Sequence, residues 1–125
     1  VYSSNVKYDG TFAVFAVPQT GVNIETLEKE VLNEIEKLKV KPVSSEELLK
    51  AKNQALAKAI YRKDAADDMG FEIGSQELEG GSWQNINRYP EEIQKVTTEE
   101  VMAAAKKYLI KDNRTVGYLL PQEKK

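Results

Sequence analysis

The sequence predicts an α+β domain in which four to five helices pack on one face of a small antiparallel sheet, and three observations predict it. Two runs rich in Val, Tyr, Phe and Thr open the chain on either side of Asp9-Gly10, amphipathic helical patterns follow, and one alternating run, Arg114 to Leu120, closes it. Strands grouped apart from helices point to α+β rather than to a parallel sheet threaded by helices. The 125 residues, 41% hydrophobic and 30% charged, suit one domain with one modest core.

The first two runs, Val1 to Tyr8 and Thr11 to Val17, read as a hairpin, because Asp-Gly supplies the positive φ angles of a tight turn. In the second run Phe12, Val14 and Ala16 alternate with Ala13, Phe15 and Val17, so both faces are apolar and the strand is expected to be covered on both sides. Pro18-Gln19-Thr20-Gly21 ends it.

Asn23 is a good N-cap for a helix whose Ile24, Leu27, Val31, Ile35 and Leu38 form one stripe. Glu25, Lys29, Glu30, Glu36 and Lys37 take the opposite face, and Lys37, Lys39 and Lys41 sit at the end the helix dipole favours. After Lys41-Pro42-Val43, Ser44 and Glu47 make a capping box that starts a second helix. Its stripe of Leu48, Ala51, Ala55 and Ala59, flanked by Leu56 and Ile60, is small enough to let another element approach closely.

From Asp64 to Glu79 the helical pattern weakens at Gly70 and Gly74, predicting a break or bend between Arg62 and Gly70, and Gly80-Gly81 is the stop. Ser82 caps a helix from Trp83 to about Val96, with Pro90 starting a new turn or kinking it. Thr97 and Glu100 form a second capping box, and Val101, Ala104, Ala105 and Tyr108 are the inward stripe of the last helix. Lys106, Lys107 and Lys111 suit its C-terminal end. Asp112-Asn113 is a turn, Arg114 to Leu120 a strand, and residues 122–125 after Pro121 a linker or frayed tail.

Composition narrows the chemistry. Eighteen basic against twenty acidic residues give a net charge of −2, which argues against electrostatic binding of nucleic acid. There is no cysteine and no histidine, so thiolate chemistry, Cys-based zinc sites, iron–sulfur clusters and the commonest general base and zinc ligand are all excluded within these residues. The apolar runs fall far short of the roughly 20 residues a bilayer span needs. The opening Val1-Tyr2-Ser3-Ser4 reads as strand without a leader segment, and three strands are few for so many helices. Both features lead us to expect a piece of a longer polypeptide.

Among candidate sites, Asp64, Asp67, Asp68 and Glu72 are the densest acidic group, yet they lack calcium-loop spacing and read as a solvated helix start. Glu77 and Glu79, two apart on a helix, point away from one another and make a poor acid/base pair. Gly80-Gly81-Ser82 lacks the lysine register of a phosphate loop and reads as a helix stop and restart. Ser3 and Ser4 have no histidine to activate them, and Lys7 lacks the burial a lysine base needs. Tyr2 and Tyr8 share a strand face and read as packing residues, as do Trp83 and Tyr89. The residues by themselves thus describe an α+β domain without its own catalytic centre.

Three segments together resemble the C-terminal part of a pitrilysin/insulinase-type (M16) peptidase domain. They are Val43-Ser-Ser-Glu-Glu-Leu-Leu-Lys-Ala-Lys-Asn-Gln-Ala-Leu, Val96-Thr-Thr-Glu-Glu-Val-Met-Ala-Ala-Ala-Lys-Lys-Tyr-Leu and Asn113-Arg-Thr-Val-Gly-Tyr-Leu-Leu-Pro121, in that order. The Gly-Gly-Ser-Trp and Asn-Arg-Thr-Val-Gly segments look most like long bacterial members, for which cytoplasm and periplasm both fit. The resemblance implies a LuxS/M16 metallohydrolase-like fold, with residues 1–121 the C-terminal portion of one domain. It also implies a zinc metalloendopeptidase whose two halves close around a peptide-holding chamber.

The family's zinc site is an inverted H-x-x-E-H motif with a downstream glutamate. Its histidine ligands have no counterpart in this histidine-free sequence. The resemblance therefore implies zinc in the parent or a partner domain and none held by these residues, leaving this portion to shape the peptide-binding chamber and to be inert alone. Its partners would be the remaining M16 domains or a partner subunit, with peptide as substrate. The family's R…G-x-x-Y pattern places its tyrosine at Tyr2 as a substrate-binding residue able to donate to a developing oxyanion, while the Arg would precede Val1. Two alternatives stand beside this reading: a non-catalytic M16-like structural or assembly subunit, and a helical adaptor with only generic likeness.

Overall fold

A computed structural model of the chain describes residues 1–3, 10–63 and 66–120. In chain order these form β1 (Tyr2–Ser3), β2 (Phe12–Ala13), α1 (Ile24–Val40), α2 (Ser45–Tyr61), α3 (Ala66–Ser75) continuing into a π-helical turn (Gln76–Gly80), α4 (Asn85–Lys95), α5 (Thr98–Tyr108) and a 3-10 turn (Lys111–Asn113). The chain divides into two compact units, one of residues 1–15 and 44–98, the other of residues 16–43 and 99–125.

The predicted antiparallel sheet with helices packed on it is not what forms. The described residues hold one strand pair, two residues on each side, with Tyr2 opposite Ala13 and Ser3 opposite Phe12. Residues 14–17 and 114–120 join no ladder. A strand is fixed by the partner that takes up its backbone N–H and C=O groups, and alternation supplies only the side-chain pattern. The double-sided cover expected for the second run is also absent, with Phe15 80% and Val17 89% exposed. The predicted Asp9-Gly10 turn lies mostly outside the described residues.

The helices follow local chemistry closely. Asn23 Oδ1 accepts the Glu25 backbone N–H at 2.7 Å, and α1 closes with Lys41 N–H on the Lys37 carbonyl at 3.0 Å, just before Pro42. Ile24, Leu27, Val31, Ile35 and Leu38 are all partly shielded, while Glu25, Lys29, Glu30, Glu36 and Lys37 are exposed. In the same unit Tyr118 reaches back to α1, its hydroxyl donating to Glu28 Oε2 at 2.5 Å. Ala105, on the inward stripe of α5, is the one residue buried to 4% exposure among those described.

In the other unit the Ser44–Glu47 capping box is complete: Glu47 N–H donates to Ser44 Oγ at 3.2 Å and Ser44 N–H to Glu47 Oε2 at 3.0 Å. The predicted break falls at Arg62 and Lys63, whereas Gly70 and Gly74 lie within α3 and interrupt nothing. Gly81, at φ 87°, ends the π turn in the left-handed region that favours glycine. Pro90 sits inside α4, whose first turn begins with Asn85 N–H on the Ser82 carbonyl at 3.2 Å. Lys52 of α2 donates to the Gln94 carbonyl at 2.8 Å, placing a cation at the negative end of α4.

Candidate functional site

A groove of about 970 Å³ runs along α2, α3 with its π turn, and α4, wholly within one unit. Three helices build it. On α2 the row Ala51, Ala55, Ala59 lies beside Gln54 and Lys58, with the C-cap Arg62 continuing the second row, both at i,i+4 spacing, so a shallow strip of methyl groups borders a polar one. From α3 and the π turn come Met69, Glu72 and Gln76, and from α4 Ile86, Arg88, Tyr89 and Glu92.

Charge in the groove is unevenly neutralised. Glu72 is engaged by Arg62 at 3.5 Å, and Glu92 by Lys95 at 2.6 Å. The hydrogen bond and charge of Lys95 hold the Glu92 carboxyl below its ordinary range, with Arg88 adding to the same effect. Lys58 and Lys63 have no ion-pair partner among the described residues, so the lining carries excess positive charge in a chain of net charge −2. Gln76 adds a further polar demand: its Oε1 is buried and accepts no hydrogen bond from the described residues.

The residues singled out from the sequence lie elsewhere or take other tasks. Tyr2 sits on β1 opposite Ala13 and is 59% exposed. Ser4, Lys7, Tyr8 and Asp64 fall outside the described residues. Asp67 and Asp68 occupy the exposed first turn of α3, where the helix dipole favours them. Glu77 has a structural task, its Oε2 accepting the Trp83 backbone N–H at 2.8 Å across the Gly80-Gly81 stop. Ser82 Oγ likewise accepts the Gln84 N–H at 3.2 Å. Trp83, at 44% exposure, is no core anchor, and Tyr89 lines the groove at 43%.

The sequence offers no histidine or cysteine, and no group of three or more potential ligands stands together among the described residues. No described helix is long and apolar enough to cross a membrane. The groove is not legible in the sequence, because each of its rows looks like an ordinary helix surface until three helices are brought together. The one available signal was the paired rows on α2.

No protein-family profile and no curated protein matches the sequence. Among solved structures, the chain is similar to the crystal structure of a "putative zinc protease" from Bordetella pertussis Tohama I, at 24% identity and a TM-score of 0.72. The likeness covers 83% of this chain and 57% of the Bordetella chain. At that identity the likeness establishes a shared fold, and this chain spans a little over half the length of the Bordetella protein.

Proposed function

We propose that this chain is the non-zinc portion of an M16-type zinc metalloendopeptidase, shaping the chamber in which a peptide is held while zinc and its ligands act from another domain or a partner subunit. The observation that carries the reading is the backbone likeness to the Bordetella protein over 83% of the chain in a sequence without histidine. The sequence segments beginning at Val43, Val96 and Asn113, in that order, add the M16 assignment by resemblance. Residues 1–121 then belong to one M16-like domain of a longer polypeptide. Coverage of only 57% of the matched chain supports that, as do the large apolar side chains left open at Phe15, Val17 and Leu119.

On this reading Tyr2 faces the scissile peptide and its phenol donates to the oxyanion as it develops. The native polypeptide that contains this chain is expected to cleave a quenched peptide, to lose that activity to a zinc chelator and to recover it with zinc. In the same polypeptide Tyr2→Phe is expected to lower kcat by about 10²-fold, the scale of losing one oxyanion donor, with KM little changed. Unchanged turnover removes the role of Tyr2. Absence of chelator-sensitive cleavage from the polypeptide and its co-purifying partners rejects the peptidase reading in favour of a structural subunit.

A further inference from the structure

We draw no further inference here: the strongest candidate, the groove along α2, α3 with its π turn, and α4, is lined by a strip of alanines beside exposed cations, and nothing in the structure shows what covers it.

Discussion

Replacing Ser44 by alanine isolates one local device and carries its consequence to the groove. The hydroxyl of Ser44 accepts Glu47 N–H at 3.2 Å and donates to Glu47 Oε2 at 3.0 Å, while the reciprocal bond from Ser44 N–H to Glu47 Oε2 runs at 3.0 Å. Ser44→Ala deletes the first two bonds and leaves the third without the hydroxyl that orients its carboxylate. An N-cap serine exchanged for alanine costs about 1 kcal/mol, which is about fivefold in a local opening equilibrium. Hydrogen exchange reads this directly. The amides of the first turn of α2 are expected to lose about fivefold protection, those of α5 are expected to keep theirs, and Ser44→Asp is expected to restore most of the loss. Equal exchange in Ser44→Ala and the unmutated chain would refute the reasoning that this cap holds the start of the helix whose later turns line the groove.

Two further predictions concern backbone and protonation. Gly81, at φ 87°, and Gly74, inside α3, both have open space where a Cβ would stand, so the backbone alone decides the outcome. Gly81→Ala is expected to lower the urea midpoint by about 1 kcal/mol of stability, and Gly74→Ala to raise it by a similar amount; changes of the same sign would contradict this. The Tyr118 phenol is held above its ordinary range, first by its hydrogen bond to Glu28, then by partial desolvation and the Glu28 and Glu25 charges. A folded-state value above the unfolded one means the contact stabilises fully below the phenol's unfolded pKa and is lost as pH rises through the folded one. In ultraviolet titration a late-ionising signal from Tyr118 is expected, which disappears in Tyr118→Phe and moves to lower pH in Glu28→Gln.

What could be read from the residues divides along a physical line. Asn23, the Ser44–Glu47 box and the stop at Gly81 act within a few residues, so spacing alone located α1, α2 and the end of the π turn. The α1 stripe from Ile24 to Leu38 was legible for the same reason. Gly70 and Gly74 were expected to weaken the helix, and α3 absorbs both, since each costs only about 1 kcal/mol in a helix interior. The sheet failed because pairing is non-local: Thr11 to Val17 and Arg114 to Leu120 have the alternation of strands, but only Phe12–Ala13 finds a ladder among the described residues.

The candidate groove was illegible for a related reason. Lys58, Gln76 and Arg88 lie on three elements, and no spacing in the sequence announces that they line one space. Glu77 illustrates the same limit at short range, because a carboxylate that looks like surface charge reaches over the glycine pair to hold Trp83 N–H.

The most direct test of the proposed function is a complete peptide map, by mass spectrometry, of the native polypeptide containing these 125 residues together with whatever co-purifies with it. The account predicts an H-x-x-E-H motif with a downstream glutamate in another part of that polypeptide or in its partner, and an arginine shortly before Tyr2. A complete map with neither motif nor arginine contradicts it and leaves Tyr2 an ordinary residue of a short strand.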